Sequence, residues 1–186
     1  MLRFIALAWN SASAAENALA ANLKRRLETQ LADWTCSLDV PGLRVVHVGA
    51  TGGVARLYTL DNDGGVVLGK LFHRDETAGV SDPATQLSRS ESDALRQSRG
   101  RHLIERYWGR YVAILHSRER RRSWVLRDPT GAVPCFVTRY NGIHVLCSHV
   151  DDCAALGLID ASIDWEHVAA YLWFDHLVTS KTGLDK

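Results

Sequence analysis

The sequence predicts an α+β fold in four layers, αββα: two antiparallel sheets packed face to face with helices against their outer sides. Three observations carry this expectation. Segments such as Tyr111-Val112-Ala113-Ile114-Leu115 and Trp124-Val125-Leu126 are apolar without strict alternation, which requires burial on both faces of a strand. Two hairpins are written into residues 111–127 and 135–148, so the pairing is antiparallel. Helical segments with a single apolar stripe flank the strands, and such a helix covers one face of a sheet.

Residues 2–8 form the first expected strand. Ser13-Ala14-Ala15-Glu16 has capping-box spacing, and Leu19, Leu23, Leu27 and Leu31 recur every four residues, giving a helix over 13–32. Pro41-Gly42 punctuates the chain before three short strands at 44–48, 54–60 and 66–72, separated by turns at Gly52-Gly53 and 61–65. Residues 74–88 are polar, contain Pro83 and read as a mobile loop, after which 91–108 reads as helix. The two hairpins pair 111–117 with 123–127 and 135–139 with 143–148, the second closed by Asn141-Gly142. A short helix at 150–156 follows, then another at 164–174 with Asp164 as N-cap and Val168 and Leu172 on one face.

At 186 residues the chain is one domain or slightly more, with residues 1–160 as the main unit and 161–186 as a C-terminal helix and the start of a linker. Its 46% apolar and 23% charged content excludes a disordered chain, and no run approaches a membrane span. The apolar stretch 4–9 is too short for a secretory core and is followed closely by Glu16, Lys24, Arg25 and Arg26, so a strand is the better reading. An Asn-Gly hairpin sets Cys135 opposite Ser148 and Phe136 opposite Cys147, which puts the two thiols on opposite faces. Free thiols and a cytoplasmic location are the expectation.

Several chemistries lack their signatures. The eight histidines show no HExxH or HxH spacing, so no metal site is expected. There is no GxSxG elbow and no P-loop, so no cofactor is expected in this segment. Net charge is +1, but residues 89–127 hold eleven arginines against four acidic residues, leaving the remainder acidic. The arginine-rich turn at 118–122 reads as a solvated hairpin tip and a candidate surface for an acidic partner. No nucleic-acid or membrane partner is expected, since a nucleic-acid footprint favours aromatic or glycine interleaving.

Tyr107-Trp108-Gly109-Arg110-Tyr111-Val112-Ala113-Ile114-Leu115, Arg127-Asp128-Pro129-Thr130-Gly131 and Cys147-Ser148-His149 together resemble the second half of a class II glutaminase domain, the amide-hydrolysing front module of asparagine synthetases. The resemblance is strongest over 103–156 and mainly topological before residue 66. It implies the sandwich of the N-terminal nucleophile hydrolases, and it implies a departure from their chemistry. In that family the residue after the initiator methionine is a cysteine whose own α-amine activates its thiol; here it is Leu2. Leucine is also expected to block removal of Met1, because methionine aminopeptidases favour small second residues. The tract Val67-Leu68-Gly69-Lys70-Leu71-Phe72-His73 resembles the family strand that builds the oxyanion hole from an asparagine amide and a glycine N–H. Leu68 stands at the asparagine position and only Gly69 remains; such a missing donor costs about 2.7–4 kcal/mol of transition-state stabilisation.

By the same resemblance, Arg44 or Arg56 would correspond to the family's substrate-carboxylate clamp and Asp93 to its amine ligand, although all three also read as plain surface charges. The family's arginine-histidine-arginine-glycine-proline-aspartate tract has no counterpart beyond a remnant at Asp33-Trp34. Arg127, Asp128 and Gly131 keep the family's arginine-aspartate-x-x-glycine turn, which reads as structural: Asp128 caps the turn and Gly131 permits a positive φ. No catalytic residue is therefore expected. The resemblance is closest in character to lasso-peptide macrolactam synthetases, whose front domain also lacks the cysteine. It implies a non-hydrolytic scaffold or docking wall, a precursor peptide or biosynthetic protein as partner, and ATP and Mg²⁺ used only by a separate ligase domain. Two alternatives stay open: the front domain of an ammonia-using asparagine synthetase relative, and a stand-alone binding module.

Overall fold

The computed structural model describes residues 1–51, 53–74, 83–159 and 162–174. Strand β1 (Arg3–Ala8) leads into helix α1 (Ala14–Gln30), and strands β2 (Thr35–Val40), β3 (Leu43–Val48), β4 (Arg56–Leu60) and β5 (Gly65–His73) follow. Helices α2 (Arg89–Gln97) and α3 (Arg101–Arg106) precede strands β6 (Tyr107–Ser117), β7 (Arg122–Arg127), β8 (Phe136–Tyr140) and β9 (Ile143–Cys147), and helices α4 (Val150–Ala155) and α5 (Trp165–Trp173) close the described chain. Among the described residues no helix is long and apolar enough to cross a membrane.

Among the described residues the named strands all pair antiparallel and fall into two sheets, β2-β3-β1-β9-β8 and β4-β5-β6-β7. The two sheets enclose one apolar core, in which Phe4, Ala6, Leu43 and Val45 of the first meet Val66, Leu68, Val112 and Ile114 of the second. The alternate residues face outward under helices. Ile5, Leu7, Val46 and Val145 pack with Ala20, Leu23 and Leu27 of α1, while Val67, Leu71, Tyr111 and Ala113 pack with Leu95 of α2 and Leu103 of α3. This explains the run Tyr111 to Leu115: a strand with a sheet on one side and a helix on the other is apolar on both. Trp124-Val125-Leu126 is not buried on both faces as expected, because β7 is an edge strand and Val125 is exposed.

Local signals set several boundaries. Ser13 accepts the Glu16 N–H and starts α1, but the Glu16 carboxylate takes the Asn10 N–H at 2.7 Å, so the capping is not reciprocal. At α2 it is: Ser88 and Glu91 exchange bonds as a full capping box. The Asn-Gly turn sets Phe136 opposite Cys147. Cys135 consequently faces the inter-sheet core and Cys147 the α1 side, and all four cysteines are free.

Four further expectations need correction. The helix over 91–108 is two helices and the start of a strand. Gly100, at φ +91°, donates to Leu95 O and ends the first helix, and residues from Tyr107 onward pair with β5 instead. The edge strand β2 is unforeseen, and its register shifts between Cys36 and Leu38, which breaks the alternation that would have marked it. The strand at 54–60 begins only at Arg56, Val54 being exposed. In α5, Val168 is half-buried and Leu172 exposed, and no residue of the helix is fully buried, so the expected stripe is not a core face. Of the loop at 74–88, residues 75–82 lie outside the described residues, as does the tail 175–186; Ala84 donates to Leu71 O and Pro83 bridges Phe72.

Candidate functional site

Leu2, which the resemblance sets at the expected nucleophile position, immediately precedes β1 and packs, partly buried, against the inter-sheet core that contains Leu68. Leu68 is fully buried on the inner face of β5. Both leucines thus contribute hydrocarbon to one cluster; the fully buried Leu68 is worth about 1.5–3 kcal/mol, and the partly buried Leu2 less. Gly49, at φ +81°, lies against the same stretch: a Cβ there would sit 2.2 Å from Met1 O, so only glycine lets the end of β3 approach the chain start. Gly69 has a comparable cause. Its φ is +138°, and a Cβ would fall 2.0 Å from Arg110 O on β6. Close passage of two backbones is reason enough for this glycine.

Polar groups around β1 hold it in place. Arg3 pairs with Asp152 of α4 through Nε–Oδ2 at 2.9 Å and lies over the Trp34 ring. Ser148 and Phe4 exchange two bonds: the Ser148 N–H reaches Phe4 O at 3.1 Å, and the Phe4 N–H reaches Ser148 Oγ at 2.9 Å. Ser148 Oγ also meets His149 Nδ1 at 2.9 Å. A serine beside a histidine is the composition of a nucleophile and base, but this hydroxyl is buried and continues the β1–β9 ladder. Facing Phe4 from β3 is His47, buried, with no hydrogen-bond partner at Nδ1 among the described residues. Burial pushes its pKa down, and a hydrogen bond involving the Thr35 backbone only partly offsets that.

The Arg127-Asp128-Pro129-Thr130-Gly131 turn sews the end of β7 onto β6. Asp128 is buried and accepts from Tyr111 N at 3.3 Å, from Thr130 N at 2.9 Å and from the Thr130 hydroxyl. Burial alone raises its carboxyl pKa, but these donors and the Ala132 N–H outweigh it, and the net shift is downward. Arg127 donates to Gly131 O at 2.6 Å, and Gly131 adopts φ +63°.

The three residues expected as remnants of a substrate clamp are not brought to Leu2 and Leu68. Arg44 lies on the α1 side of its sheet, buried between Asp39 at 2.9 Å and Glu28 at 2.6 Å. Arg56 pairs with Gly69 on the helix-covered face of the other sheet. Asp93, on α2, pairs with Arg96 at 2.7 Å. Among the described residues no three His, Cys, Asp or Glu side chains converge as a metal-ligand group.

A second site lies at the other end of β1. There a cleft of about 440 Å³ opens between the sheets, lined by Trp9, Gly42, Arg121, Arg122, Arg139 and His144. Across the β6–β7 hairpin tip lies a second hollow of about 540 Å³, lined by Asn62, Arg96, His116, Arg118, Arg120 and Trp124. His116 borders both; burial lowers its pKa, Asp63 opposes this and Arg118 adds to it. Sequence reasoning marked the hairpin tip but missed Arg139 and His144, which join it only because two different sheets end side by side. Compared with protein-family models, with curated proteins and with solved structures, the chain matches none.

Proposed function

We propose that the chain is a glutaminase-like domain of the N-terminal nucleophile hydrolase type that has lost amide hydrolysis and serves as scaffold or peptide-docking wall for an ATP-dependent, asparagine-synthetase-like ligase. Lasso-peptide macrolactam cyclases are the nearest functional type. One observation carries the reading: Leu2, at the head of β1, packs into the same core as Leu68 between two facing antiparallel sheets. A sandwich of this kind supports the fold assignment, and hydrocarbon at both positions supports the loss of chemistry. A ligase that activates a peptide carboxylate with ATP and Mg²⁺, and lets the peptide's own amine attack, needs no ammonia. Its front domain is then free to keep only a binding role. ATP and Mg²⁺ belong in this proposal to the ligase domain.

The test is glutamine hydrolysis by the purified protein. Glutamate release is expected at the level of buffer, and so is covalent labelling of the amino terminus by a glutamine-mimicking electrophile. Release above buffer overturns the proposal. Leu2→Cys alone is expected to stay inactive, because Leu68 still offers no donor; activity in that variant overturns the oxyanion assignment. The ligase association is tested by reading the gene past the Lys186 codon. An SGGxDS pyrophosphate loop downstream supports it, and an immediate stop codon favours a stand-alone binding module instead.

A further inference from the structure

The arginines of the β6–β7 hairpin tip are unspent. Among the described residues, the side chains of Arg118, Arg120, Arg121, Arg122 and Arg139 enter no ion pair, whereas Arg3, Arg44, Arg96 and Arg101 each hold a carboxylate. All five are exposed. Arg121, Arg122 and Arg139 line the first cleft against one acid, Glu16, whose carboxylate already accepts the Asn10 N–H. Arg118 and Arg120 line the second hollow with Glu119. Like charges gathered at one tip repel one another, so this arrangement costs the free protein some stability and favours an anion that bridges them.

The geometry points to an acidic peptide segment, laid across the hairpin tip with carboxylates in both hollows, as the ligand of this surface. Guanidinium forks match carboxylates in bidentate fashion. Two hollows on opposite sides of one hairpin suit an extended chain better than a compact small molecule. A single-stranded nucleic acid fits less well, because it needs open aromatic faces for its bases. The aromatic rings beside the hollows already carry cations: Lys24 lies 5.1 Å from the Trp9 ring centroid, and Arg99 lies 5.7 Å from that of Trp124. The purpose of such docking rests on the proposed function above, while its chemistry rests on the cleft alone.

The experiment is a titration of fluorescein-labelled hexaglutamate, hexalysine and hexathymidylate with the purified chain, followed by anisotropy at low ionic strength, where screening is weakest. Hexaglutamate is expected to bind tightest. Arg121→Glu/Arg122→Glu is expected to weaken it at least tenfold, and Arg25→Glu/Arg89→Glu, with the same change in net charge on exposed positions elsewhere, by less than threefold. Equal losses in the two variants, or no binding of hexaglutamate by the unsubstituted chain, overturn the site. Tighter binding of hexathymidylate overturns the peptide assignment in favour of nucleic acid. Glutamine hydrolysis measured on the same sample separates the two proposals. Hydrolysis with intact peptide binding sinks the non-hydrolytic reading alone; absent peptide binding without hydrolysis sinks the docking surface alone.

Discussion

The two ends of β1 have been treated in opposite ways. Where the strand begins, Leu2 and Leu68 bring hydrocarbon to an inter-sheet core, and a buried histidine, His47, is held there with no partner at Nδ1 among the described residues. Where it ends, the sheets part around a cleft whose arginines find no carboxylate among the described residues. The first end stabilises the fold and offers no chemistry at residue 2; the second offers binding groups and gives the fold little. Mutations should therefore act on stability at one end and on binding at the other.

The largest effect is expected from placing an amide at the first end. Leu68→Asn removes a fully buried aliphatic side chain and inserts two unsatisfied polar groups. The lost burial is worth about 1.5–3 kcal/mol and an unpaired buried amide about 1–3 kcal/mol. A loss of about 4 kcal/mol in unfolding free energy is expected, read from urea denaturation followed by the fluorescence of the six tryptophans. A loss below about 1 kcal/mol would mean that the region is a solvated pocket rather than core, and the contrast between the ends would collapse.

Much of the first end was legible in the sequence, and little of the second. An Asn-Gly turn fixes its hairpin register locally, which is why the Phe136–Cys147 pairing could be read in advance. The burial of Leu68 follows from the apolar strand expected at 66–72, which the structure keeps within β5. The arginine cleft depends on how two sheets lie against each other, so that Arg139 and His144 of one approach Arg121 and Arg122 of the other. No local pattern encodes that meeting. β2 was lost for a different reason: a bulge in an edge strand shifts the alternation by which strands are recognised. The break at Gly100 was readable as a helix stop, but the switch to strand at Tyr107 is set by its partner His73 in β5.

A smaller effect separates the ends by pH. His47 at the first end and His116 at the second both have lowered pKa values, chiefly through burial. In the unfolded chain a histidine takes its proton near pH 6.5. Below that pH the unfolded state therefore binds more protons, and stability falls as pH drops, levelling off once the folded-state pKa is passed. Each histidine contributes a slope of at most about 1.4 kcal/mol per pH unit. Denaturation between pH 7 and pH 5 should show the decline, and His47→Leu and His116→Gln should each flatten it, one reporting each end of the strand. Each imidazole has one group that favours its charged form, the Thr35 backbone for His47 and Asp63 for His116, and in both burial outweighs it. An unchanged decline in either variant would show that the histidine removed is not a source of it.

The smallest effect tests the second end directly. Arg121→Ala/Arg122→Ala removes two exposed side chains that hold no ion pair among the described residues, and the mutual repulsion of the tip falls at the same time. Arg121 already occupies a positive φ of 47°, and alanine bears the same Cβ, so no new backbone strain enters. The unfolding free energy should stay within about 0.5 kcal/mol of the unsubstituted chain. A fall of more than about 1 kcal/mol would show that these arginines hold the hairpin together and are not spare. Unchanged or slightly raised stability, alongside weakened hexaglutamate binding, would identify charges whose cost to the fold is recovered only when a partner is bound.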